Sequence, residues 1–198
     1  QQQVIRDVLD SGAVNIVVKE DMLKTALESL SVKPAVVITD SQAFGAVSKI
    51  TPKDIKLTSF SILMANFKGM LETAVHGAAA MDKLKSGDRV LIAEGCTHHR
   101  QCDDIGSVKI PKWLREYTGC ELDLTIVPGH EFPEKLDGYS LVIHCGGCML
   151  TEKEIFLRME RARTSGVPFT NYGIAIAQMH GILRRSLEVF PDILKILE

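Results

Sequence analysis

Arg89-Val-Leu-Ile-Ala93 runs directly into Glu94-Gly95-Cys96, and Leu141-Val-Ile143 runs directly into His144-Cys145-Gly146-Gly147-Cys148. Both are short apolar runs rich in β-branched residues, the composition of a strand buried on its two faces. Leu122–Val127 is a third such run, ended by Pro128-Gly129. Helical patterns separate them: Pro111 suits the first turn of a helix reaching Tyr117, Glu152–Thr164 forms another, and Gly173–Phe190 a last one after a short strand at Val167–Thr170. Strands alternating with helices predict a parallel sheet. Both cysteine segments then leave that sheet at its carboxyl edge, where open α/β sheets place their ligands.

The residues before this series alternate in the same way. Asn15–Val18 is a short apolar run, and Asp21 is placed to cap a helix over Met22–Leu30. Ala35–Thr39 reads as a strand, Asp40 or Ser41 can cap the helix that follows to Lys49, and Ile55–Thr58 reads as a strand. One long helix is expected from Ser59 through Lys83. The polar, glycine-containing stretch Lys83–Asp88 marks the boundary. The fold class expected is α/β, with two small domains, 1–84 and 85–198, each holding a mainly parallel sheet flanked by helices. No internal repeat is evident between them.

Composition narrows the function. A net charge of -2, with acidic and basic residues interspersed, gives no electrostatic reason to expect a nucleic-acid partner or an anionic membrane. No apolar run reaches the length of a membrane span, and no signal peptide opens the chain. It opens on Gln-Gln-Gln without Met, as a piece of a longer protein would. All 5 cysteines (Cys96, Cys102, Cys120, Cys145, Cys148) fall between 96 and 148. An odd number without a secretory signal predicts reduced thiols in the cytoplasm, and their clustering predicts a site.

Within Cys145-Gly-Gly-Cys148 the two glycines let the backbone turn sharply around a bound atom. Two thiolates at this spacing plus Cys96 from the neighbouring strand end can converge, and soft thiolates select zinc, copper(I) or iron–sulfur clusters. His98 and His144 accompany them, giving C-x-H followed by H-C-x-x-C. Three readings stand open on ligand chemistry: an iron–sulfur cluster, a structural zinc site of three cysteines and one histidine, and a redox dithiol. Cys102 is a reserve ligand, and Cys120 is a packing residue. His76 and His180 read as packing or interface residues, and His130 as a surface-loop residue. Arg158, Arg161 and Arg163 read as a solvated helix face partly offset by Glu154 and Glu160. The chain has no phosphate-cradling P-loop, no dinucleotide fingerprint, no C-x3-C-x2-C loop of radical enzymes, and no catalytic triad or carboxylate pair evident from spacing.

Glu94-Gly-Cys-Thr-His-His-Arg-Gln-Cys-Asp-Asp-Ile-Gly106, together with Ile143-His-Cys-Gly-Gly-Cys-Met149, resembles the FeFe-hydrogenase maturation protein family HydF. The resemblance covers essentially the whole chain. It implies a dimerisation domain followed by a cluster-binding domain, with a GTPase domain, and hence any GTP, outside these residues. It implies Cys96, Cys145 and Cys148 as ligands of a 4Fe–4S cluster, with His98 and His144 as fourth-ligand or cluster-neighbouring residues. An extended segment puts residues i and i+2 on one side, which makes His98 the easier fourth ligand; Asp103, Asp104, water or an exogenous group are alternatives. The family role implied is a homodimeric scaffold, not a catalyst. It carries a diiron precursor to apo-FeFe-hydrogenase alongside radical-enzyme maturases. A zinc-stabilised interaction module is the alternative.

Overall fold

The computed structural model describes residues 1–95, 104–129, 131–147 and 149–197. It contains two parallel sheets flanked by helices. The smaller pairs β1 (Val36–Thr39) with β2 (Lys56–Ser59), Val36 opposite Lys56 and Thr39 opposite Ser59. The larger has four strands in the order β4-β3-β5-β6: β3 is Arg89–Ala93, β4 Asp123–Val127, β5 Leu141–His144 and β6 Phe169–Asn171. Every pairing in it is parallel. Strand β5 is buried at every position and β3 at all but Arg89, as their uninterrupted apolar sequences require. The α/β class read from the alternation is the fold observed.

Helices α1 (Gln2–Asp10), α2 (Leu23–Ser29) and α3 (Phe44–Ile50) accompany the small sheet. Helices α4 (Phe60–Phe67) and α5 (Leu71–Ala80) lead from it to the large one. There α6 (Ile110–Thr118), α7 (Glu152–Thr164) and α8 (Tyr172–Met179) follow β3, β5 and β6, and the short α9 (Leu183–Ser186) and α10 (Pro191–Leu194) close the chain. Arg185 joins the two sheets' surroundings: its guanidinium donates to the carbonyls of Ser48, Thr51 and Pro52 at 2.7–2.8 Å, satisfying the open end of α3. No helix among the described residues is long and apolar enough to cross a membrane.

Several expected elements differ. Asn15–Val18 forms no strand, and Val17 is exposed. Asp21 does not cap α2; it lies in a short 3-10 turn, Glu20–Met22. The single helix expected from Ser59 to Lys83 is broken after Phe67, because Gly69 takes φ +66°. The helix expected over Gly173–Phe190 stops at Met179, because Gly181 takes φ +69°. At this left-handed angle glycine ends a helix without the steric penalty of a Cβ. The apolar periodicity runs on across both glycines, which is why it reads as continuous.

These two breaks expose an internal repeat that the sequence reading missed. Leu57-Thr-Ser-Phe-Ser-Ile62 and Phe169-Thr-Asn-Tyr-Gly-Ile174 each end a strand, cap a helix and enter it, and Ala65, Gly69 and Leu71 correspond to Ala177, Gly181 and Leu183. The Ser59 hydroxyl accepts from the Ile62 amide at 3.3 Å, and the Asn171 side chain from the Ile174 amide at 2.9 Å. The closing bonds match too, Met70 N to Ala65 O and Ile182 N to Ala177 O, both 2.9 Å. Asn171→Ala is expected to cost about 1–2 kcal/mol in chemical denaturation. Ser59→Ala, with the longer bond, should cost less. Equal losses at the two caps would contradict this ranking.

Candidate metal centre

Strands β3 and β5 lie side by side with Ala93 opposite His144, so their next residues emerge together at the carboxyl edge. The Cys145 amide donates to the Ala93 carbonyl at 2.8 Å, extending the pairing by one step. The Cys145 sulfur, half-buried, receives the Gly95 amide at 2.9 Å and the Gly147 amide at 3.3 Å. Two N–H groups aimed at one sulfur favour its negatively charged, metal-binding form. Glycine fits best at 95, since a Cβ there would lie 2.9 Å from Leu150 Cδ1 and 3.1 Å from the Cys145 sulfur and would push the Leu150 side chain aside. Gly147 takes φ +61°, the sharp turn expected inside C-x-x-C, and the Leu150 amide donates back to its carbonyl at 3.0 Å.

His144 is fully buried directly beside this sulfur-bearing residue. Its Nδ1 lies 2.6 Å from the Cys145 carbonyl oxygen and its Nε2 lies 3.1 Å from Arg158 Nη1. A guanidinium only donates, so Nε2 accepts and Nδ1 carries the proton. Burial pushes the imidazole pKa down to about 4, which keeps the ring neutral near pH 7. Its ring stacks on Phe169 at 5.6 Å. In this arrangement both ring nitrogens are engaged by the protein.

Arg158 corrects the reading of α7 as carrying three solvated arginines. Its side chain is fully buried; Nε donates to Glu154 at 2.8 Å, Nη1 to His144, and Nη2 to the Gly129 carbonyl at 3.1 Å. The guanidinium also sits 5.1 Å over the Phe132 ring. One side chain thus ties together α7, the end of β5 and the loop after β4. Arg163 is the exposed residue expected, paired with Glu160 at 2.6 Å. A second unanticipated contact comes from the other sheet's side: Lys68, at the end of α4, donates to the Gly147 carbonyl at 2.9 Å. The i,i+4 spacing of Glu154 and Arg158 is the only sequence signal for the first, and none marks the second.

Cys96, Cys148 and His98 lie outside the described residues, as do Cys102, Asp103 and His130. Among the described residues no group of three His, Cys, Asp or Glu side chains gathers as a metal site. Asp104 caps the turn Ile105–Lys109, accepting from the Ser107 amide and hydroxyl at 2.8 and 2.9 Å. Cys120 packs at the core edge, its sulfur 3.5 Å from the Leu84 carbonyl. His76 is exposed on α5, and His180 ends α8 edge-on to Trp113 at 5.4 Å.

Fold and site together define an α/β protein with a cysteine-centred loop at the carboxyl edge of a parallel sheet. Residues 72–189 match the family model of the Hydrogen maturase F tetramerization domain, and residues 1–69 that of the Hydrogen maturase F dimerization domain. A search of curated proteins returned no match. The chain belongs to the hydrogen maturase F family, HydF, whose domains here serve self-association and a role in hydrogenase maturation.

Proposed function

We propose that this chain is an iron–sulfur scaffold and carrier for FeFe-hydrogenase maturation, in which Cys96, Cys145 and Cys148 hold a 4Fe–4S cluster. The observation that supports it is the Cys145 sulfur, half-buried at the sheet's carboxyl edge with two backbone N–H groups directed at it. Gly95, which supplies one of those amides, is followed directly by Cys96, and Gly147, which supplies the other, directly by Cys148. The donor set is soft and anionic, as such a cluster needs. When bound, it supplies an iron not closed by a fourth thiolate, at which a diiron precursor can be held as cargo before transfer to apo-hydrogenase. The protein's own residues hold the Cys145 sulfur through the Gly95 and Gly147 amides, back it with the buried His144–Phe169 pair, and fix the loop by the Gly147 carbonyl.

His144 acts in this reading as a cluster neighbour that orients Cys145, which leaves the fourth position to His98 or an exogenous group. The assembly is a homodimer built on the first sheet's region, in the cytoplasm, and this chain is a carrier with no catalytic residues of its own. Anaerobic reconstitution tests the proposal. Cys145→Ala should lose essentially all bound iron and its visible absorption, whereas Cys102→Ala should retain them. One zinc per chain with no iron would show a structural zinc module instead.

A further inference from the structure

We propose that Lys68 raises the reduction potential of the cluster assigned above, an inference that rests on the ligand role given to Cys96, Cys145 and Cys148. Lys68 caps the C-terminal end of α4, and Gly69, at φ +66°, turns the chain directly after it. Its ammonium donates to the Gly147 carbonyl at 2.9 Å. Gly147 lies between the two cysteines of the C-x-x-C. Its amide donates to the Cys145 sulfur at 3.3 Å, and its carbonyl belongs to the peptide group that carries the Cys148 N–H. The helix end itself does not call for a lysine. In the repeat Lys68 corresponds to His180, which caps α8 before Gly181 in the same way and lies edge-on to Trp113. The two positions share a backbone and differ in side chain, and what distinguishes Lys68 is the loop it reaches.

The other cation close to this loop is offset by a carboxylate. Arg158 pairs with Glu154 at 2.8 Å, whereas Lys68 pairs with no carboxylate among the described residues. Its charge reaches the interior beside Cys145: burial chiefly lowers the pKa of His144, and the Arg158 and Lys68 charges lower it further. Lys68 is half-buried, so water screens its field only in part. A cluster on three thiolates becomes more negative by one charge when it accepts an electron, and net charge and hydrogen bonding near the sulfurs set its potential. A fixed cation beside the loop stabilises the electron-rich form more than the electron-poor one, which draws the potential upward. Lys68 falls within the matched residues 1–69 and the three cysteines within 72–189, so this charge acts from one matched domain on the other.

Anaerobic reconstitution of the 198-residue chain, followed by potentiometric titration with dithionite, tests this, with iron content measured on each sample. The step read is transfer of one electron from the reductant to iron, with no bond to a cysteine broken. Lys68→Gln keeps an N–H donor at the position and removes the charge; Lys68→Met removes both. The Gln chain should keep its iron and titrate at a more negative potential, by about tenfold in the reduction equilibrium, or 59 mV for one electron. The Met chain should shift at least as far. Lys68→Arg, which keeps the charge, should titrate with the native chain. The gap between native and Gln chains should narrow as salt is raised, because the ammonium is only half-buried. A native chain that binds no iron overturns the cluster reading and this inference with it. Full iron in the native and Gln chains at equal potentials overturns the role of Lys68 alone. An Arg chain shifted as far as the Gln chain overturns it too, as does a gap indifferent to salt. Loss of iron from both uncharged variants gives Lys68 a purely structural role and overturns the inference as well.

Discussion

Arg158→Met should lower the unfolding free energy by roughly 2–5 kcal/mol, since it leaves two buried acceptors unpaired at about 1–3 kcal/mol each. Methionine fills much of the volume and keeps the helix, so packing is a small part of that loss. What the substitution leaves behind is polar and buried: the Nε2 lone pair of His144, the Gly129 carbonyl, and a Glu154 carboxylate that has lost its closest cation. Because Glu154 is 34% exposed, water can rescue its charge, and the two deeply placed acceptors dominate the cost. Arg158→Lys should recover little, since one ammonium cannot span three partners on separate segments. Chemical denaturation with fitted slopes would check this. A Met variant within about 1 kcal/mol of the native chain would mean that the two acceptors find other partners, and would contradict the role given to Arg158.

The second large effect belongs to Gly77→Ala. Alanine is the best helix former and glycine among the worst, so an unpacked helical site would gain up to about 1 kcal/mol from the change. Gly77 is packed: its Cβ would lie 2.1 Å from the Phe169 carbonyl oxygen, 2.3 Å from its carbon and 2.9 Å from the Thr170 nitrogen. All three are backbone atoms of β6, which cannot rotate aside, so α5 must withdraw from the sheet. A loss of about 3 kcal/mol is expected, at the upper end for overpacking. Gly45→Ala in α3 is the matched control, because a Cβ there meets nothing within 4 Å. It should be neutral or stabilising by the same denaturation measurement.

The buried strands were readable in the sequence because composition alone decides them: Val90-Leu-Ile-Ala93 and Leu141-Val-Ile143 have no polar face to turn outward. The adjacency of Gly95 and Cys145 followed from the parallel alternation, since a carboxyl edge collects the loops after every strand. Other features were hidden for identifiable reasons. Helix α1 carries Val4, Ile5, Val8 and Leu9 at helical spacing, a signal the reading of the first residues passed over, although none of them is buried. The repeat keeps Thr58, Ile62, Ala65 and Gly69 but varies the positions between them, buried ones such as Leu57 and Ser59 included, which dilutes the likeness below what a reading by eye detects. Arg158 reads as solvated because its burial depends on His144, Gly129 and Phe132, all more than ten residues away in sequence. Spacing reports a residue's neighbours on its own helix and says nothing of the strand beneath.

The contact between Lys68 and the Gly147 carbonyl has a mechanical consequence. Gly147 sits in the hairpin-tight loop bearing Cys145, and Lys68 is the next-to-last residue of the stretch matched by the dimerization model. The loop is therefore moored at both ends of the molecule's division of labour, to its own sheet through Ala93 and to the mating region through one ammonium. A shift of α4 on subunit pairing would bear on the cysteine loop directly through this ammonium, in addition to the packing of α4 on α5 and α8.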